Sequence, residues 1–174
     1  MNNKVQFNLI VLLLLICSSN CAPDKQAQDP IPTFDWSDKV TVITDADSLL
    51  HGTSYLSVYS QIYSYTEHIS LDLTATVSIR NTSETDSIYL KKANYYDTAG
   101  NPIQSYLEQP IALKAMETLE IVIAEVDKKG GTGANFVFEW ATKPNVSEPI
   151  FEAVMISTYG QQGLSFMTHG KRVD

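Results

Sequence analysis

The chain has 174 residues, 44% hydrophobic and 18% charged, and carries a formal net charge of -8. That length fits one domain with an appendage, with apolar content sufficient for a core without staples. The acidity opposes nucleic-acid phosphates and anionic headgroups, and Lys91-Lys92, Lys128-Lys129 and Lys171-Arg172 read as solvated pairs rather than a basic face, so nucleic acid is set aside as a partner.

Residues 1–21 read MNNKVQFNLIVLLLLICSSNC. Lys4 supplies a positive start, and the apolar run from Leu9 to Cys17 is far shorter than the roughly 20 residues a membrane-spanning helix needs. The pattern reads as a cleavable signal peptide. Ser18 and Ser19 then lead to Cys21, which resembles a bacterial lipobox, where the leader is cut before a fatty-acylated cysteine. Cys17 fits less well, because the bulky Ile16 precedes it; Asn20 departs from the small residue usual before Cys21. Each buried acyl methylene contributes about 0.8 kcal/mol, so two or more chains, palmitate among them, hold a protein firmly on a membrane. The expected organisation is a signal peptide over 1–20, a lipid-anchored flexible tether over 21–38, and a single β-sandwich domain over 39–174. The two cysteines both lie in the leader region, so the domain has neither disulfide nor thiolate metal site.

Pro23, Pro30 and Pro32 keep the tether extended. Phe34 and Trp36 are placed to dock on the domain, and Val40–Ile43 reads as a first strand. Asp45 and Asp47 form a polar turn, lacking the Gly and distal Glu of a calcium loop. Leu71, Leu73, Ala75, Val77 and Ile79 alternate with polar residues, a period of two that marks a strand with one buried face. NTSETD (81–86) reads as a turn and Ile88–Tyr96 as the return strand. After a turn at DTAGN (97–101), short extended pieces follow at Ile103–Leu107 and Ile111–Leu113, then a strand at Leu119–Val126. Beyond the glycine-rich loop DKKGGTGAN (127–135), Phe136, Phe138 and Trp140 share one strand face, and Ile150–Thr158 and Leu164–Thr168 complete the set. The pattern predicts an all-β, two-sheet antiparallel β-sandwich, Ig-like in general shape though without the Ig cysteine pair.

The stretches VYSQIY (58–63), TATVSIRNT (74–82), YYDTAGNPI (95–103), GGTGANFVFEW (130–140), PIFEAVMIST (149–158) and GQQGLSFMTHG (160–170) occur in order. On them the chain, from about Tyr55 to its end, resembles the bacterial family called domain of unknown function 3124. The resemblance implies a short exported protein, often a lipoprotein, without assigned activity. It supplies no catalytic residues.

Three groups of residues are candidates for function. Gly130, Gly131 and Asn135, beside Lys128 and Lys129, could form a backbone nest for an anion; the plainer reading is a sharp connection between strands. Asp127, Glu139 and Glu152 could bind a hard cation such as Ca²⁺ or act as acid and base, or could pair with Arg80, the one arginine on a predicted strand. Tyr55, Tyr59, Tyr63 and Tyr65 crowd one segment, and an exposed row of them, led by Tyr59 and Tyr63, suits stacking on sugars or a protein; burial in the sheet interface is the alternative. His51, His68 and His169 show no metal-ligand spacing, and Ser165 in GLSFM lacks the second glycine of a nucleophile elbow.

These readings point to a bacterial envelope lipoprotein, lipid-anchored on the periplasmic side or the cell surface. Its domain is a non-enzymatic binding or structural module without a cofactor. Its partners are the membrane, through the anchor, and an envelope protein or small ligand. The alternative is a metal-dependent binding domain or enzyme using Asp127, Glu139 and Glu152.

Overall fold

The computed structural model describes residues 35–44, 48–158 and 163–174. The chain divides into two units, Met1–Ile31 and Pro32–Asp174, and the described residues all belong to the second. Cys21, Phe34, Asp45 and Asp47 lie outside the described residues.

The fold is an antiparallel β-sandwich. One sheet has the order β12 (Lys171–Arg172), β1 (Leu50–Ser57), β9 (Asn135–Thr142), β5 (Ile88–Tyr96) and β6 (Pro102–Ser105), with β7 (Ile111–Leu113) also paired to β5. The second has the order β11 (Leu164–His169), β10 (Ile150–Ser157), β4 (Thr74–Arg80) and β8 (Thr118–Ile123). A separate two-stranded hairpin is made by β2 (Gln61–Ser64) and β3 (Thr66–Asp72). Among the described residues the only helical element is a 3-10 turn, Ser37–Lys39.

Local alternation explains the strands. Ala75, Val77 and Ile79 on β4 are all 0% exposed, as is Leu73 just before it. The expected strand Leu71–Ile79 is nevertheless split. Leu71 belongs to β3, and the Leu73 amide donates to the Ser60 carbonyl at 2.9 Å, which turns the chain from hairpin to sheet. The expected aromatic face faces inward: Phe136, Phe138 and Trp140 are buried. Phe138 stacks on Phe151 of the opposite sheet with centroids 4.4 Å apart, and Phe136 stacks on Tyr95 at 4.8 Å. The Phe138–Phe151 stack joins the two layers, while Phe136 and Tyr95 are cross-strand neighbours within one sheet; each such burial is worth roughly 1.5–3 kcal/mol. Trp140 donates its Nε1–H to Ser54 Oγ at 3.0 Å, so its polar edge is satisfied inside the core.

Register defines two poles. At one, Leu50 lies opposite Thr142, Ile88 opposite Leu113 and Arg80 opposite Ile150. At the other, Asn135 lies opposite Ser57 and Tyr96, and Thr74 opposite Ile156. The described chain begins on the first pole. Trp36 packs against the core, and Val40 bridges Ile111 antiparallel. Lys39 Nζ meets Glu117 at 2.5 Å, and the Glu117 carbonyl accepts from the Asn81 amide at 2.9 Å. Burial alone would raise the Glu117 pKa, but the Lys39 ammonium and the Lys114 amide more than offset it and leave it lowered. Val40–Ile43, expected as a strand, makes this single bridge and one further bond, from the Thr41 amide to the Pro110 carbonyl at 2.9 Å; past Ile111 it runs along Pro110, which has no N–H to extend the ladder. The β2–β3 hairpin and the glycine loop lie at the second pole.

Candidate functional site at the hairpin pole

The glycine loop clasps three segments. The Gly130 carbonyl accepts from the Thr98 amide at 3.1 Å and from Thr98 Oγ1 at 3.0 Å. The Gly131 carbonyl accepts from the amides of Ser60 and Gln61, both at 3.1 Å. Gly130 tolerates no side chain, because a Cβ there would lie 2.0 Å from Tyr95 Oη and 2.7 Å from Ser60 Oγ. Gly131 has φ +70°, a left-handed conformation that glycine adopts without strain. Below the loop, Ser60 Oγ and Tyr95 Oη share a buried hydrogen bond of 2.8 Å. Burial pushes the Tyr95 pKa up despite that bond.

Between this clasp and the hairpin opens a cleft of about 350 Å³. The hairpin contributes Gln61, Tyr63, His68, Ile69 and Ser70; Thr98 and Thr132 face them. Its charged groups are largely paired. Asp72, at the base of the hairpin, meets Lys128 at 2.5 Å and accepts from Gln61 at 2.7 Å, and both hold its carboxyl below the usual range. Glu67 lies 3.5 Å from His68 at the exposed rim.

The candidate residues separate on this frame. Tyr59 packs inward, edge-on to Phe166 at 5.7 Å, whereas Tyr63 is 62% exposed and lines the cleft. Asn135 opens β9 at the same pole. The anion-nest reading of Gly130 and Gly131 meets a different geometry. The Gly131 amide donates to the Lys128 carbonyl at 3.1 Å and the Gly133 amide to Thr98 Oγ1 at 2.9 Å, so the loop closes on its own chain. Lys128 is turned to Asp72 rather than to the loop.

Asp127, Glu139 and Glu152 are not brought together. Glu139 on β9 takes Lys92 at 2.6 Å. Glu152, in the other sheet, takes Arg80 at 2.9 Å and lies 3.5 Å from His169. Asp127 accepts from the Lys129 amide at 3.1 Å, beside the loop. Among the described residues no three His, Cys, Asp or Glu side chains could share a metal ion. The strands carrying Glu139 and Glu152 belong to opposite sheets, a separation that spacing along the chain does not reveal.

Two residues matter more than their sequence context suggests. Arg172 is a second strand arginine rather than half of a solvated pair. It ion-pairs with Glu148 and with Asp174, and its guanidinium lies 5.2 Å from the Trp140 ring centroid. Asn81 is buried in the turn after β4, where its Nδ2 donates to the carbonyls of Asp86, Leu113 and Lys114. A run such as NTSETD signals a turn; only the fold shows that its first residue pins β7 to β4.

No curated protein matches this chain. The crystal structure titled Thermotoga maritima 1070 is similar at 10% identity with a TM-score of 0.45, covering 69% of this chain and 92% of that one. The family match starts a few residues ahead of Tyr55 and spans both sheets, the hairpin and the glycine loop. The chain belongs to the family described as protein of unknown function, DUF3124, matched over residues 51–173.

Proposed function

We propose that the protein is a cell-envelope lipoprotein, exported by residues 1–20 and acylated at Cys21, whose domain acts as a non-enzymatic binding module. A tether reaching to about residue 38 would hold it on the periplasmic side or the cell surface. The observation that carries the binding reading is the polarity of the domain. The described chain enters beside the Lys39–Glu117 pair, while the cleft and the exposed hairpin lie at the opposite end of both sheets. The cleft thus lies at the pole of the domain opposite the residues 35–40 by which the described chain enters it. The carboxylates that an enzyme would need are each engaged by a basic side chain or a backbone amide.

Two measurements test this reading. Cys21→Ala should abolish incorporation of a labelled fatty acid and release the protein from the membrane fraction; persistence of either overturns the anchor. A photoreactive residue at 65 should give crosslinked adducts in intact cells, while one at 84, on the exposed turn of the opposite pole, should give none. Equal yields at both positions would remove the assignment of the hairpin pole.

A further inference from the structure

We propose that the ligand taken at the hairpin pole is a segment of a neutral glycan chain, with Tyr63 as its stacking platform. The proposal rests on the reading of that pole as a binding surface, and three observations carry it. The first is the hairpin itself. It is a two-stranded ribbon outside both sheets, with five successive exposed residues, Thr66–Ser70. A lone two-stranded hairpin has little stability of its own in water. Yet it carries Tyr63 at 62% exposure, Ile69 at 50% and Tyr65 at 99%. Tyr65 also has φ +64°, a conformation that Gly or Asn takes at lower cost. Neither packing nor backbone preference accounts for a tyrosine there, and its ring stands in solvent on the same hairpin as Tyr63.

The second observation is the chemistry of the lining. Tyr63 and Ile69 give apolar surface, and Gln61, Ser70 and Thr132 give neutral amide and hydroxyl groups. A sugar ring has the matching character, with a C–H face that lies on an aromatic ring and a hydroxyl edge that exchanges hydrogen bonds with neutral polar groups. The third is charge. No Lys or Arg lines the cleft, Lys128 of the glycine loop is paired with Asp72 at 2.5 Å, and the protein carries a net charge of -8. An anionic ligand finds repulsion without a free cation in the lining, and a cationic one finds only the rim carboxylate Glu67, already beside His68. The cleft is open and lies at the lower end of ligand-pocket volumes, which suits a stretch of polymer rather than an enclosed small molecule.

The test uses the full-length protein in detergent and two fluorescent probes, hexamers of N-acetylglucosamine and of glucose, read by polarisation. Saturable binding of either hexamer is expected, and the preferred one separates a cell-wall type of glycan from a plain glucan. Tyr63→Ala should weaken binding at least about tenfold, the scale of an aromatic anchor. Tyr63→Phe, which keeps the ring, should stay within about threefold. Tyr63 is exposed, so an unchanged melting temperature will show that the Ala variant is folded. Failure of both hexamers to bind, or wild-type binding by Tyr63→Ala, overturns the glycan assignment. If the hexamers fail while position 65 still crosslinks to an envelope protein, only the ligand class falls. If position 65 gives no adduct either, the pole reading falls with it.

Discussion

Tyr95→Phe removes one oxygen from the centre of the clasp and keeps the ring that stacks on Phe136 at 4.8 Å. Ser60, which is 0% exposed, then loses the Tyr95 hydroxyl 2.8 Å from its own. A buried hydroxyl left without a partner costs about 1–3 kcal/mol. Ser60→Ala imposes a similar cost by stranding the Tyr95 hydroxyl. The double variant has no stranded group and replaces the pair by apolar surface, so its loss should fall at least about 1 kcal/mol short of the summed single losses. For a protein of this size, each kcal/mol moves the melting temperature by roughly 3–5 °C. Thermal and urea unfolding of the four proteins in the cycle would measure this. A double variant as unstable as the sum of its parts would refute a coupled hydrogen bond beneath the glycine loop.

Other changes probe the rest of the frame. Gly130→Ala should destabilise by about 1–3 kcal/mol or more, since its Cβ would lie 2.0 Å from Tyr95 Oη, and urea unfolding would read it. Lys39→Ala should cost about 1–2 kcal/mol at neutral pH by leaving the half-buried Glu117 without its cation. Because the folded-state pKa of Glu117 is lowered, its stabilising contribution is present above the ordinary carboxylate range and is lost as pH falls through the lowered value; the variant should show a shallower acid loss in unfolding measured against pH. Burial pushes the Tyr106 pKa up to about 12. An unfolded tyrosine ionises near pH 10, so stability should be intact below about pH 10 and decline between there and about 12, and Tyr106→Phe should flatten that decline. Arg172→Ala should speed amide exchange at Val173, whose N–H is bonded to the Thr53 carbonyl at 2.9 Å, because the guanidinium's bond to the His51 carbonyl of β1, at 3.0 Å, is lost together with its pair to Glu148.

Much of the sandwich is legible in the sequence. Ile88–Tyr96 is β5 residue for residue, and Ile150–Thr158 and Leu164–Thr168 differ from β10 and β11 only at their ends. The hairpin is not legible in the same way. Its strands carry exposed residues on both faces, so Thr66–Ser70 shows no apolar alternation to read. For the same reason Tyr59 and Tyr63, four residues apart and alike in chemistry, have opposite fates: one packs on Phe166 and the other faces solvent. Arg172 gives no signal either, since its partners Trp140 and Glu148 are distant along the chain.

What the sequence determined by itself is what depends on near neighbours. A period of two places Ala75, Val77 and Ile79 on one face, and clustered Gly, Asn and Asp end the strands, because backbone geometry and burial act over a few residues. Only the tertiary structure decided that Gly130 must leave room for Tyr95, that Glu152 answers Arg80 rather than Glu139, and that chain entry and cleft occupy opposite poles. Those outcomes depend on which strands pair and in what register. That choice is made by the whole core at once, through contacts between residues dozens of positions apart.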